Sequence, residues 1–326
     1  YTVDGTDISV ASAVRRPDRN ADDLRVCVRS EDLTLSREGA PGVNSWPGIV
    51  RVASFQGSSI RYAVEVSPDI PELDVLAPLH GAERYEPGDE VWGMLLTPHY
   101  QGAQAEYVSV PMLSVSRKPA TLGWLEAGGV PLAALTAWAA VVDAGRVHTG
   151  QRVLVHAGAG GVGHFAVQLA RFYGAHVIAT ASERNHEWLR ELGAHEVIDY
   201  RSQQFEEVVD EPVDVVVDLI GNVADDTGTR SLRVLRDGGL IINVPTGSWP
   251  TMHEEVAAEG RGIVATTLKL SPDGRVLETL AQLFDQGDLR THVDGAFALA
   301  DAAAAHEAVE SGRTRGKNVL DLRPGR

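Results

Sequence analysis

The feature that most constrains this chain is a glycine turn, Gly158-Ala159-Gly160-Gly161-Val162-Gly163, set between two apolar runs. Residues 152–156 (RVLVH) form a short, β-branched run that reads as a strand buried on both faces. Phe165, Leu169 and Phe172 recur at helical spacing across residues 165–173, Gly174 ends that helix, and residues 176–180 supply a second strand. Gly158, Gly160 and Gly163 therefore fit G-x-G-x-x-G in the context that gives the pattern meaning: strand before, helix after, second strand beyond. A side chain in such a turn would hold a pyrophosphate off. Bare backbone lets the amides at the helix start point at the phosphates, where the helix dipole favours negative charge. Gly158, Gly160, Gly161, Val162 and Gly163 are thus candidate cofactor-binding positions, and the competing reading is a tight turn with no ligand.

The chain downstream of the turn repeats its alternation. Strands are expected at 196–198, 213–219, 240–244 and 264–268, and helices at 188–192, 231–235 (ended by Gly238-Gly239) and 276–284 (stopped by Gly287). Strands alternating with helices mean an α/β fold with a doubly wound parallel sheet. Ligand then sits beyond the carboxyl ends of the strands, and Val244 is a further candidate cofactor-binding position. A last helix at 301–310 and a last strand at 317–322 follow, and residues 126–142 carry a helical pattern stopped by Gly145. Residues 102–110 read as a strand. The front of the chain is β-rich, with strands at 24–29, 48–55, 60–66, 73–78 and 90–95 and a hairpin turn at residues 56–59, the spacing of a small barrel. The expected organisation is a β-rich barrel over 1–92, a dinucleotide-binding domain over 125–290, and a remaining catalytic piece made of 93–124 with 291–326.

Composition closes off several function classes. A length of 326 residues allows about two domains. A net charge of -16 disfavours nucleic acid and anionic membrane surfaces as partners, and the longest apolar run, 129–142, is too short to span a bilayer. The single cysteine, Cys27, excludes an internal disulfide and a multi-cysteine zinc site, and suits a reducing cytoplasm. The first ten residues show no secretion signal, and Tyr1 in place of Met reads as a processed or partial chain. The 11 histidines form no H-E-x-x-H pair, and no G-x-S-x-G elbow is present, so neither a metal site nor a catalytic residue is named. His156 and His164 flank the turn as packing or surface residues rather than ligands. Residues 312–318 (GRTRGKN) fall one spacer short of a phosphate-binding loop and carry Asn318 where Ser or Thr must reach Mg²⁺.

The second strand argues for the phosphorylated cofactor. An NAD site wants an acidic residue at that strand's end, about 20 residues past the first glycine. Here the strand ends Thr180-Ala181-Ser182, with Glu183 one step late and Arg184 after it. A hydroxyl and a guanidinium are what a ribose 2′-phosphate needs, so Ser182 and Arg184 favour NADPH. The competing reading leaves Arg184 simply solvated.

Two family resemblances rest on quoted stretches. PGDEVWGML (87–95), AEYVSVP (105–111), LAALTAWAAV (132–141), TGQRVLVHAGAGGVGHFAVQLA (149–170), NHEWLRELGAHEVIDYR (185–201), SLRVLRDGGLIINVP (231–245) and RGKNVLDL (315–322) resemble the zinc-free quinone-oxidoreductase branch of the medium-chain dehydrogenase/reductase superfamily. That resemblance covers residue 87 to the end. It implies NADPH-dependent hydride transfer to a small quinone or enone, Thr136 beside the nicotinamide, Tyr200 approaching the 2′-phosphate, Lys317 near the cofactor, and a homodimer. It also implies that the tail strand completes a barrel with strands from the front of the chain. Unaided, Thr136 reads as a helix residue bonded to its own backbone. VRSEDLTLS (28–36), PGIVRVASFQGSSIRYAVEV (47–66) and RYEPGDEVWG (84–93) resemble instead the TOBE domain, an OB-like barrel of ABC-importer ATP-binding subunits. The S-V-N-P-x-D and G-x-D-x-x-G stretches that open the reductase family are missing from 1–85, so the expectation is a fusion made at residues 87–93. The alternative function is a non-catalytic, nucleotide-binding regulator with a sensing barrel. For the oxyanion of a reduction, His99 and Tyr100 are the available donors in the loop before Gly102, and an exposed loop pair is the competing description.

Overall fold

The computed structural model describes residues 49–56, 59–65, 73–78, 85–95, 103–223 and 225–323. The strand expected at 24–29, Cys27 and the His99–Tyr100 loop lie outside the described residues. The backbone divides into two compact units, residues 1–86 with 111–113 and residues 87–110 with 114–326. In the first unit, β1 (Ile49–Gln56), β2 (Ser59–Glu65) and β3 (Leu73–Pro78) form an antiparallel sheet in that order. Gln56 pairs with Ser59, so the hairpin closes where the sequence places its turn, and Ser59 in turn pairs with Pro78.

The second unit begins with β4 (Val91–Gly93) and β5 (Val115–Arg117), an antiparallel pair. β5 is the strand this region forms. Residues 103–110, expected as a strand, have no regular structure, and Tyr107 is 90% exposed, so the local alternation has no buried face to serve. The helical pattern of 126–142 is broken into α1 (Trp124–Gly129), α2 (Pro131–Trp138) and a π-turn over Ala139–Ala144. Pro131 has no amide to continue α1 and serves instead as the first residue of α2.

The sheet that carries the site is parallel and six-stranded, in the order β11-β10-β9-β6-β7-β8. Its strands are β6 (Arg152–Val155), β7 (His176–Ala181), β8 (Glu196–Asp199), β9 (Val213–Asp218), β10 (Leu235–Asn243) and β11 (Val264–Thr267). Val153 and Val155 of β6 enter one hydrophobic core with Phe165 and Leu169, while Leu154 enters the other with Ile178, Phe205 and Ile241. A strand buried on both faces must be apolar throughout, as this one is. The helices are α3 (Gly163–Phe172), α4 (His186–Glu191), α5 (Phe205–Val208), α6 (Thr227–Ser231), α7 (Met252–Glu259) and α8 (Gly274–Gln286). The helix expected at 231–235 is α6, four residues earlier. Leu235 already pairs with Val213, and Gly238, at φ 67°, lies in a register break inside β10 rather than after a helix.

After α8 come β12 (Val293–Ala298), α9 (Ala302–Glu310) and β13 (Lys317–Asp321). β12 and β13 pair in parallel through the α9 crossover. Among the described residues the tail strand's partner is therefore β12, where the sequence suggested strands from the front. The 312–318 loop joins a helix to a strand, the reverse of the strand-to-helix order a phosphate-binding loop requires.

Candidate functional site

β6 and β9 are neighbours, and the sheet runs outward from them in opposite chain directions, which makes the carboxyl end of β6 the switch point where ligands bind. The chain leaves β6 there through His156 and Ala157. Ala157 is left-handed at φ 49°, and the Gly158 amide donates to the Thr180 carbonyl of β7 at 2.9 Å. The three motif glycines do different work. A Cβ on Gly158 would stand 2.9 Å from the Ala179 Cβ, and one on Gly163 would stand 2.1 Å from the Ala157 carbonyl oxygen. These two let the turn pack against β7 and against itself. A Cβ on Gly160 would meet only the Ala157 carbonyl oxygen, at 3.2 Å, so this glycine keeps an open side bare. The amides of Gly161, Val162 and Gly163 have no backbone acceptor among the described residues, as the first turn of α3 dictates.

The tail of the chain lies over this turn. The Gly316 amide donates to the Ala159 carbonyl, and the Lys317 amide to that of His292, both at 2.9 Å. A Cβ on Gly129 would stand 3.1 Å from the Lys317 Cβ, and one on Gly161 would stand 3.3 Å from its Nζ. The side chain thus runs from α1 to the glycine turn. Burial alone pushes the Lys317 ammonium below its ordinary range. A half-buried cation at Gly161, beside unspent helix-start amides, is an arrangement that can meet an anion such as a diphosphate. Lys317 was named from family resemblance; the structure brings it to the glycines 154 residues upstream of β13 at Gly163 and nearby.

Beyond the end of β7, Ser182 is buried and accepts from Asn185 Nδ2 at 3.2 Å. Arg184 is exposed, and its guanidinium donates to the Arg313 carbonyl. Arg315 donates through Nε to Asn185 Oδ1 at 2.9 Å and through Nη2 to the Arg184 carbonyl at 3.2 Å, and its guanidinium lies 5.2 Å over the Trp188 ring. Arg184, Arg313, Arg315 and His292 line one cleft of about 290 Å³. Arg313 and Arg315 were not named as site residues from sequence. Their signal was present in GRTRGK, where two arginines flank Thr314 beside Lys317.

The other candidates are dispersed. Tyr200 is 53% exposed and lines a different cleft, of about 610 Å³, with Arg201, Glu206 and Arg230, so the structure does not bring it to Arg184. Thr136 is buried in α2 and donates to the Leu132 carbonyl at 2.6 Å, the self-bonded state its residue type suggests, with its oxygen still able to accept. The Val244 amide donates to the Asp218 carbonyl at 2.9 Å. Sequence reasoning missed the group that shapes this edge. The buried Asp218 carboxylate accepts from the Ile220 and Gly221 amides and from Asn243 Nδ2 at 2.8–2.9 Å, and Asn243 also bonds Ser248. Among the described residues no three or more His, Cys, Asp or Glu side chains are grouped to hold a metal ion, and no helix is long and apolar enough to cross a membrane.

Family models match the chain in two places: "Zinc-binding dehydrogenase" over residues 192–320 and "TOBE domain" over residues 26–93. The mitochondrial NAD(P)H oxidoreductase RTN4IP1 of Danio rerio is 32% identical over 263 residues, covering 73% of this chain and 67% of the relative. The 2-methylene-furan-3-one reductase of Solanum lycopersicum is 34% identical over 242 residues, covering 72% of this chain and 57% of that protein. The chain spans 65% of the human counterpart of the first relative. Among solved structures, the quinone oxidoreductase of Coxiella burnetii superposes with a TM-score of 0.68 at 35% identity, covering 84% of this chain and 81% of that one. With a parallel dinucleotide-type sheet, a glycine turn at its switch point and these relatives, the chain belongs to the quinone-oxidoreductase type of the medium-chain dehydrogenase/reductase superfamily.

Proposed function

We propose that this chain is an NADPH-dependent reductase that transfers hydride to an electron-poor carbon of a small quinone or enone without a metal. The observation that carries the reading is the half-buried Lys317 side chain reaching Gly161, the first of the three unspent amides of Gly161, Val162 and Gly163. Gly160 offers the bare side along which a diphosphate can approach. The arginine-lined cleft at the end of β7 supports the phosphorylated form of the cofactor. When bound, the nicotinamide supplies the hydride. The chain's own part is to bind, orient and exclude water: Thr136 offers its hydroxyl oxygen to a carboxamide, and the Asp218–Asn243–Ser248 group fixes the loops that follow β9 and β10. The named activities of the zebrafish and tomato relatives, an NAD(P)H oxidoreductase and a 2-methylene-furan-3-one reductase, support the substrate class and weigh against a purely regulatory nucleotide binder. A homodimer belongs to the same reading. A cytoplasmic setting rests on the single cysteine alone, and the zebrafish relative is mitochondrial.

Titration of the chain with NADPH and NADH, followed by turnover on a panel of simple quinones and enones, tests the reading. NADPH binding at least about tenfold tighter than NADH, with oxidation of NADPH by one panel member, is the expected result. Binding with no turnover across the panel favours the regulator, and equal affinity for the two nucleotides removes the role given to the arginines.

A further inference from the structure

Ala157 is a non-glycine residue in the left-handed region, a conformation that persists only where its surroundings hold it. Its hold is Thr180. The Ala157 amide donates to Thr180 Oγ1 at 3.2 Å, and the next amide, of Gly158, donates to the Thr180 carbonyl at 2.9 Å. Thr180 is itself held by His156, which is fully buried against the edge of Phe205. His156 Nδ1 lies 3.2 Å from Thr180 Oγ1, and its Nε2 lies 2.8 Å from Ser231 Oγ.

Proton counting orders this chain. A serine hydroxyl has one proton, and Ser231 gives it to the Thr227 carbonyl of α6 at 2.7 Å. His156 Nε2 must then be the donor to Ser231, which leaves Nδ1 as an acceptor. The Thr180 proton goes to Nδ1, and its lone pairs are free for the Ala157 amide. Only a neutral imidazole satisfies every member, and burial holds His156 down at about 4. The hydrogen bonds thus run from Thr227 of α6 through Ser231, His156 and Thr180 to Ala157, the residue before the glycine turn.

We propose that His156 and Thr180 are positioning residues for dinucleotide binding, their hydrogen-bonded pair holding Ala157 in the left-handed geometry that aims the amides of Gly161, Val162 and Gly163. The proposal rests on the reading of the turn as the NAD(P)H site. Neither side chain touches the cofactor path; both act through the backbone of Ala157 and Gly158.

The test uses the full chain, with NADPH as the probe and 1,4-benzoquinone as acceptor. Thr180→Val removes the hydroxyl at constant shape, and Thr180→Ser keeps it. Thr180→Val is expected to raise the NADPH Kd and KM roughly tenfold, the worth of a buried hydrogen bond, while kcat at saturating NADPH falls by less. Thr180→Ser is expected to restore binding. A lowered Tm with unchanged NADPH Kd would mark a merely structural role and overturn the proposal. Ser231→Ala acts from α6 without touching the turn, and is expected to weaken NADPH binding and to speed amide exchange at Ala157 and Gly158. Unchanged Kd and exchange, in whichever of the two variants is folded, overturns the proposal. Wild-type chain that binds no NADPH overturns the functional reading instead, which keeps the two failures apart.

Discussion

Lys317→Met should move cofactor affinity and unliganded stability in opposite directions. Methionine keeps the reach of the lysine stem, so the contacts that lie against Gly129 and Gly161 survive, and what is lost is the ammonium. A hydrogen bond from a charged donor to a phosphate contributes about 2 kcal/mol, so the NADPH Kd should rise roughly thirtyfold. Unliganded, the same ammonium is a liability. Its folded pKa lies below its unfolded one through burial, so the folded state carries a penalty wherever the lysine is charged. That penalty is complete below the folded pKa and is relieved as pH rises through it toward the unfolded value of about 10.4. Wild-type unliganded stability should therefore gain over that alkaline window, and the variant should lack that gain and be at least as stable at pH 7. Fluorescence titration with NADPH and thermal unfolding with and without it measure both quantities. A variant that binds NADPH like wild type would remove Lys317 from the site. One that is less stable than wild type without ligand would show that the ammonium has a partner and that the argument from burial is wrong.

Gly163→Ala drives a Cβ to within 2.1 Å of the Ala157 carbonyl oxygen, backbone against backbone, and should cost about 2 kcal/mol of stability as well as NADPH binding. Gly161→Ala meets chiefly the flexible end of Lys317, so NADPH affinity should fall with little change in Tm; equal Tm losses in the two variants would refute the division of labour. His156 and His164 are both held at about 4 by burial, below an unfolded value near 6.5, so unfolding takes up protons and stability falls as pH drops from 6.5 toward 4. The unfolding free energy from urea titrations should fall between pH 6 and 4.5 with a slope of about 2.7 kcal/mol per pH unit, and a flat profile would show that these rings are not buried neutral. Arg184→Ala should raise the NADPH KM roughly tenfold and leave that for NADH unchanged; a parallel rise in both would assign Arg184 to the turn rather than to the 2′-phosphate.

What the sequence announces here is what local chemistry decides. α8 begins where the Asp273 carboxylate accepts from the Arg275 and Val276 amides and ends at Gly287, left-handed at φ 82°, and both signals are readable in a window of a few residues. The buried strands β6 and β9 are equally plain, because a strand covered on both faces has no polar alternation to confuse it. Residues 102–110 misled for the opposite reason: alternation is a prediction about a partner, and no described residue pairs with them. β12 escaped notice because its pattern is half-exposed and its partner, β13, lies beyond α9. His156 was legible as a packing residue, and it is one, but its hydrogen-bond partners at Thr180 and Ser231 come from 24 and 75 residues away. Arg313 and Arg315 lie in GRTRGKN, a stretch whose spacing and Asn318 do not make a phosphate-binding loop. The structure puts the same stretch between a helix and a strand and lines a cleft with its arginines.

The glycine motif alone does not separate a nucleotide site from a well-packed turn. Gly158 and Gly163 are demanded by contacts that exist with no ligand, Ala179 on one side and the turn's own backbone on the other, so a turn that bound nothing would keep both. The distinction lies in what surrounds Gly160 and Gly161. A turn built only to pack would be roofed by an apolar side chain, since taking an ammonium partly out of water opposes folding. This chain places Lys317 there and pins it by the Gly316 amide to the carbonyl of Ala159, fixing a cation beside Gly161. That cost is offset by the arrival of an anion, whose oxygens meet the ammonium and the amides at the start of α3 together. The motif supplies the room, and the tail strand supplies the reason to expect that the room is used.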